Sequence, residues 1–195
     1  DEVSAEIDSA LFGTIFHRAA ELVYKDLTAN GKEIRKEDLD QVLRNDIKLQ
    51  NYVDIAFKEE FFHVALTEKP EYNGTQLINA KVITSYLRQL LRNDLQYAPF
   101  FMEGMEKKVT EIIEIETSQG KLALNIGGTI DRIDSKDDTL RIVDYKTGGS
   151  PKTPENIKQL FTPADGRPNY IFQTFLYASI MCRKQSLKLA PSLLY

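Results

Sequence analysis

Three ionisable side chains, Asp131, Asp144 and Lys146, lie in two neighbouring stretches that alternate or run β-branched. This pattern is typical of β-strands, on which every second side chain points to the same face. Asp144 and Lys146 are therefore expected to share one face of a strand. Two aspartates on adjacent strands can converge on one cation, because carboxylate oxygens are ligands that hard divalent metal ions prefer. The first chemistry that these residues suggest is metal binding.

The pairing of the two strands decides whether the aspartates meet. If residues 135–138 form a four-residue loop, Asp131 lies opposite Ile142. Asp131 then shares a face with Asp144 at the diagonal position, where backbones are about 7–8 Å apart. A slip of one residue in the register would break this geometry, because it turns every side chain of a strand to the other face.

Two interpretations of this polar set remain open. Burying unpaired charges would cost several kcal/mol, so the simplest alternative is a solvated sheet face with a local salt bridge. The glycine pairs Gly127-Gly128 and Gly148-Gly149 favour a functional site, because a strand without side chains suits the close approach of a backbone or a substrate. Arg132 and Arg141 are interpreted either as cations for phosphate groups or as solvated strand residues.

The elements that must position these residues follow from hydrophobic periodicity. Apolar residues recur at helical spacing from Ile7 to Leu27, and period-two patterns appear only after the first hundred residues. Further helices are predicted at about 36–45, 49–62, 75–97 and 168–184, and strands at 106–117, 121–134, 139–146 and from near 191. This order predicts an α/β domain with a largely helical insertion, at about residues 28–100, after its first helix.

Composition narrows the class of protein. The chain has 195 residues, 42% hydrophobic and 28% charged, which suits one domain with its own core. Its single cysteine, Cys182, excludes a disulfide framework within this chain. No apolar run approaches the roughly 20 residues of a membrane helix, so we expect a cytoplasmic protein with no membrane partner. Because the chain begins with Asp1 and residues 192–195 read as an unfinished apolar strand, we expect a fragment or processed product of a larger protein.

The net charge of −4 argues mildly against a nonspecific nucleic-acid binder, which usually has a basic excess. It does not exclude a metal-dependent enzyme that acts on nucleic acid. Such a site concentrates carboxylates, and the bound cations supply the local positive charge.

Four short motifs follow one another along most of the chain. They are Gly-x-x-x-His, Gly-x-x-Asp-Arg-x-Asp, Asp-Tyr-Lys-Thr-Gly and Gln-x-x-x-Tyr, at residues 13–17, 128–134, 144–148 and 173–177. Together and in this order they resemble the signature of the RecB-like branch of the PD-(D/E)XK nuclease superfamily. This branch includes the AddB-type C-terminal nuclease domains of helicase–nucleases.

The resemblance implies a restriction-endonuclease-like core, in which helices flank a central mixed β-sheet, for a single domain spanning residues 1–195. It implies a metal-dependent DNA nuclease that works in recombination and repair beside a helicase segment or subunit. One or two Mg²⁺ or Mn²⁺ ions would be held by four residues: His17, Asp131, Asp144 and the main-chain carbonyl of Tyr145. The catalytic residues would be Asp131, Asp144, Lys146, Gln173 and Tyr177.

Alternatives remain open for the helical motifs and for the function. His17 alone reads as an ordinary helix residue, and Gln173 with Tyr177 as a packed hydrogen-bonded pair. Some RecB-like nucleases hold an iron–sulfur cluster with four cysteines, but with Cys182 alone no cluster is assignable here. The competing functions are an inactive nuclease-fold scaffold or DNA-end clamp and a helical interaction module. Exonuclease or endonuclease action, polarity and strand preference stay undecided.

Overall fold

The computed structural model describes residues 6–149, 152–162, 167–182 and 188–194. The elements in chain order are α1 (Ser9–Leu27), β1 (Glu33–Ile34), α2 (Lys36–Leu43), α3 (Asp46–Phe57), a π-helical turn (Lys58–Phe62), α4 (Gly74–Tyr97), β2 (Phe100–Thr117), β3 (Gly120–Lys136), β4 (Thr139–Tyr145), α5 (Lys158–Phe161), α6 (Asn169–Cys182) and β5 (Lys188–Leu194).

The described chain divides into two compact units. The first runs to Phe101 and includes Lys146–Gly148, and the second comprises Met102–Tyr145 and Gly149–Leu194. That residues 1–195 form a single domain stays a prediction. Among the described residues, no helix combines the length and the apolar content that crossing a membrane requires.

The first unit is built on helix α1. The Asp8 side chain accepts a hydrogen bond from the Leu11 backbone N–H at 2.7 Å and caps the start of the helix. The apolar face of α1 packs against α3 and α4. On that face the buried Tyr24 hydroxyl donates a hydrogen bond to Asp94 of α4, which is also buried. Helices α2, α3 and α4 fall within the predicted insertion, close to the stretches expected from periodicity.

The strands form one five-stranded sheet in the order β1-β2-β3-β4-β5. Strands β3 and β4 are antiparallel, whereas β4 and β5 are parallel, so the sheet is mixed. Within the second unit, α6 packs on β3, β4 and β5. This arrangement confirms the predicted α/β class with a mixed sheet flanked by helices. The predicted end of the last helix at 184 lies outside the described residues, and β5 begins at Lys188, earlier than predicted.

The turn between β3 and β4 differs from the predicted one. The strands pair as far as Lys136 with Thr139, which leaves a turn of two residues, Asp137 and Asp138. The expected four-residue loop is therefore wrong. Asp137 has a φ of 51°, in the left-handed region that aspartate tolerates better than most residues and that tight hairpin turns require. The real register is displaced by two residues, and a displacement of two keeps each side chain on its expected face.

Candidate functional site

Asp131 on β3 and Asp144 on β4 lie near the end of the paired stretch. The pairing of β3 with β4 ends at Arg132 with Val143, so Asp131 and Asp144 lie just beyond the last pair and share one face of the two strands. Ile142 pairs with Ile133 rather than with Asp131, so the predicted pairing is wrong. Both aspartates are buried, with 6% and 3% of their surface exposed. That burial contradicts the alternative of a solvated sheet face.

The backbone of Tyr145 fixes one of these carboxylates. Its N–H donates a buried hydrogen bond of 2.6 Å to Oδ2 of Asp131. A carboxylate that accepts a backbone hydrogen bond has a defined orientation, because the donor belongs to the strand itself. The same residue supplies the carbonyl that the sequence resemblance implied as a metal ligand. Asp131 and the Tyr145 peptide are therefore linked directly.

A third carboxylate, that of Glu106 on β2, was missed by the sequence reasoning. One of its oxygens lies within 4.8 Å of a carboxylate oxygen of Asp131. Glu106 has a φ of 46°, a left-handed conformation that costs a residue with a side chain roughly 1–3 kcal/mol and often marks functional sites. In sequence it is one charged residue among several neighbours, Lys107 and Lys108 included, so periodicity could not single it out.

Helix α6 carries two of the predicted residues, Gln173 and Tyr177. Gln173 Nε2 donates a hydrogen bond of 3.0 Å to the hydroxyl of Tyr177, one helical turn away. Tyr177 is buried, and a Cβ built on Gly128 would overlap its hydroxyl. Because Gly128, the first residue of the Gly-x-x-Asp-Arg-x-Asp motif, has no side chain, the Tyr177 hydroxyl can pack directly against β3. Two of the four motifs meet here in the second unit.

Helix α1 and the segment after β4 carry the other two predicted residues. His17 is half-buried on α1, and Lys146 is half-buried directly after β4; both belong to the first unit. In that unit a Cβ on Gly13 would lie 3.4 Å from Oγ1 of Thr147. Helix α1 therefore passes close to the Asp-Tyr-Lys-Thr-Gly segment where Gly13 lies beside Thr147. Asp131, Asp144, Tyr145, Gln173 and Tyr177 lie in the second unit.

Glu21 lies on α1, one helical turn after His17. It forms ion pairs with Arg18 at 2.5 Å and with Lys25 at 2.7 Å. Burial raises the pKa of Glu21, but the hydrogen bonds from Lys25 and Arg18 outweigh it, so that the pKa is lowered overall. These contacts assign the Glu21 carboxylate to ion pairs with two neighbouring residues of α1.

The family model of the PD-(D/E)XK nuclease superfamily matches residues 1–195. The chain belongs to this superfamily. Its members are generally hydrolytic nucleases that use divalent metal ions, and their fold implies a DNA substrate. The search among curated proteins gives no match.

The donor set in this PD-(D/E)XK chain fits a divalent metal ion. Asp131 and Asp144 are buried on the same face of the hairpin, and Glu106 adds a carboxylate close to Asp131. Burying carboxylates without a compensating charge is costly, and an ion bound by them would offset that cost. Oxygen ligands of this kind suit Mg²⁺ or Mn²⁺.

The two arginines of the hairpin do not have the roles that the sequence suggested. Arg132 and Asp134 are completely buried, and Arg132 Nε lies 2.9 Å from Oδ2 of Asp134. Arg141 binds the same carboxylate through two hydrogen bonds of 2.9 Å each. Arg132 is therefore neither a solvated strand residue nor a cation open to phosphate. It belongs to a buried ion network together with Asp134 and Arg141.

Gly127 offers a test of the packing between β2 and β3. A Cβ at this position would overlap the carbonyl oxygen of Val109 and lie 2.9 Å from Cα of Thr110. Because both obstacles are backbone atoms, we expect Gly127→Ala to lower the free energy of unfolding by about 1–3 kcal/mol. Urea denaturation followed by circular dichroism measures the change.

The matched control is Gly104→Ala on β2. There the nearest atom to a new Cβ is the flexible Lys107 Cδ at 3.7 Å, so little change is expected. Equal losses in the two variants would show that the close approach at Gly127 does not limit stability.

Proposed function

We propose that this chain is a metal-dependent deoxyribonuclease of the RecB-like branch, which hydrolyses phosphodiester bonds. The observation that carries the proposal is the pair of buried aspartates, Asp131 and Asp144, on one face of the same hairpin. A purely structural hairpin gains nothing from two carboxylates buried on one of its faces.

The proposed metal ligands are Asp131, Asp144, the Tyr145 carbonyl and His17. Glu106 joins this set because its carboxylate is close to that of Asp131. When bound, a divalent ion would lower the pKa of a ligand water and neutralise charge on the phosphate. The imidazole of His17 adds a nitrogen donor that suits Mn²⁺.

The remaining proposed catalytic residues act without holding the ion. Lys146 donates hydrogen bonds to the attacking water or to a phosphate oxygen, so that its positive charge stabilises the charge that grows in the transition state. Gln173 and Tyr177 form one wall of the site: the Gln173 amide holds the Tyr177 hydroxyl, and this pair sets the shape of the surface beside β3.

The place of the enzyme in the cell is also a proposal. The Gly-x-x-x-His and Gln-x-x-x-Tyr motifs support the RecB-like branch, and with it a role in DNA recombination and repair beside a helicase segment or subunit. A cytoplasmic location belongs to the same proposal. The 195-residue chain carries no Gly-x-x-x-x-Gly-Lys-Ser/Thr sequence, so the motor would lie on another segment or chain.

Cleavage by the purified 195-residue chain tests the function. End-labelled linear DNA and circular DNA, each single- and double-stranded, are incubated with Mg²⁺, Mn²⁺ or EDTA. We expect cleavage that requires the metal ion and that falls about a hundredfold in Lys146→Ala, the scale of loss for removing one charge-stabilising donor. Cleavage of circles would identify endonuclease action, and restriction to linear DNA would identify exonuclease action.

Lys121→Ala is the matched control, because Lys121 is an exposed lysine that pairs with Glu114 at 3.4 Å. It should cleave at the wild-type rate. A folded chain that binds Mn²⁺ but cleaves none of these substrates would favour the inactive scaffold or DNA-end clamp, and equal activity of Lys146→Ala would remove the lysine from the mechanism.

A further inference from the structure

The Arg132–Asp134–Arg141 network is unusual for its burial. Arg132 and Asp134 have no exposed surface, and Arg141 is only 13% exposed. Charged residues are rarely buried so completely unless they are paired. The two hydrogen bonds from Arg141 and the ion pair with Arg132 together compensate the buried negative charge of Asp134.

Stability alone is a poor explanation for such a network. Removing charges from water offsets much or all of their mutual attraction, and apolar residues of similar volume are often equally stable or more stable in the same position. The network is therefore expected to contribute something that apolar packing would not supply.

Its position points to that contribution. Arg132 directly follows Asp131 and Tyr145 directly follows Asp144, so the network lies on the face of the strands opposite to the two carboxylates. The Arg132 guanidinium carbon lies 5.8 Å from the centre of the Tyr145 ring, within cation–π range. The ring itself is buried. The Tyr145 N–H in turn holds Asp131 at 2.6 Å.

We propose that the Arg132–Asp134–Arg141 network positions the metal site from the reverse face of the sheet. Arg141 and Asp134 fix the Arg132 guanidinium, which holds the Tyr145 ring. The fixed ring keeps the Tyr145 peptide in the orientation that binds the Asp131 carboxylate. These are positioning residues that act through Tyr145, and the inference rests on the proposed nuclease function only for its effect on cleavage.

A triple variant separates positioning from stability. Arg132→Met/Asp134→Leu/Arg141→Met replaces all three charged side chains with apolar ones of similar length. Lys121→Met is the control, because it removes the same net positive charge from an exposed ion pair. For each protein, the urea unfolding curve, the Mn²⁺ dissociation constant by electron paramagnetic resonance, and kcat and KM for DNA are measured.

We expect the triple variant to unfold at no lower urea concentration than the wild type. Its Mn²⁺ affinity and its kcat should nevertheless fall about 10–100-fold, the usual effect of losing residues that orient metal ligands. KM for DNA should change less than about twofold, and the Tyr145 amide should exchange faster in EDTA. A purely structural network would leave these readouts unchanged in a folded protein, and wild-type Mn²⁺ affinity and kcat would overturn the inference.

The Mn²⁺ measurement keeps the two proposals distinguishable. If the wild type binds Mn²⁺ but cleaves no DNA, the proposed function fails while the affinity of the triple variant still decides the inference. If the wild type binds no Mn²⁺, the inference fails as well.

Arg132→Lys serves if the triple variant does not fold. It keeps the charge beside Asp134 but removes the planar group over the Tyr145 ring. We expect weaker Mn²⁺ binding at unchanged stability, and wild-type binding would contradict the proposed hold on the ring.

Discussion

Replacing Asp144 with asparagine is expected to slow metal-dependent DNA cleavage about a thousandfold or more without unfolding the chain. Asparagine has nearly the same shape, so the buried position on β4 stays filled, but the negative charge that attracts the metal ion is lost. A bound ion contributes several kcal/mol of transition-state stabilisation. Since about 1.4 kcal/mol corresponds to a factor of ten in rate, the loss of its anchoring should reach roughly three orders of magnitude.

Single-turnover cleavage of labelled DNA over a range of Mn²⁺ concentrations measures this effect. Asp138→Asn is the matched control, because it removes one negative charge from the exposed turn of the same hairpin. It should cleave normally. Recovery of the Asp144→Asn rate at high Mn²⁺ would assign the residue to binding alone, and a wild-type rate at low Mn²⁺ would exclude Asp144 as a ligand.

The second large effect is a change in which protein is the more stable. Asp131→Asn should be more stable than the wild type in EDTA and less stable than the wild type with Mn²⁺. In EDTA, Asp131→Asn should be more stable than the wild type by about 1–2 kcal/mol, because it removes one of two charges buried on the same face of the hairpin. It keeps an oxygen that accepts the Tyr145 hydrogen bond. With Mn²⁺ at about a hundred times its dissociation constant, the wild type should gain about 2.7 kcal/mol. For a chain of this size that is roughly 5–11 °C in Tm. The variant should gain little.

Thermal unfolding in EDTA and in Mn²⁺ shows whether the two curves cross. Asp138→Asn again serves as control and should follow the wild type under both conditions. A wild type that stays more stable in EDTA would mean that burying the two carboxylates does not destabilise the metal-free protein. An equal Mn²⁺ shift in Asp131→Asn would place the ion elsewhere.

The face that each side chain of the β3–β4 hairpin occupies could be predicted from sequence. Side chains alternate along a strand, so only an odd shift in register moves them to the other face. The turn was expected to hold four residues and holds two, yet Asp131 and Asp144 still share a face, since the register moved by an even number. The Asp-Asp pair in the turn was the available signal for the shorter connection. Its left-handed Asp137 is a conformation that local sequence permits but does not demand.

Other parts of the site depend on contacts that a single sequence does not display. The sequence favours Arg132 as a cation for phosphate groups or as a solvated strand residue, because arginine is usually exposed. Only the pairing of β3 with β4 brings Arg141 to Asp134. Glu106 departs from regular strand geometry, so alternation could not locate it. The pairing of β4 with β5 joins segments that are distant in sequence, and periodicity carries no information about partners.

The parallel pairing of β4 with β5 determines the order in which the strands can assemble while the chain is being synthesised. The hairpin of β3 and β4 needs only its two-residue turn, and hairpins form within microseconds. Strand β5 is completed about 50 residues later, which at about 5–20 residues per second is a delay of several seconds on the ribosome. Throughout that interval the edge of β4 and the surface that α6 later covers remain in water. The last steps of folding of the second unit are therefore the pairing of β5 with β4 and the packing of α6. These steps bury the hairpin that carries Asp131 and Asp144.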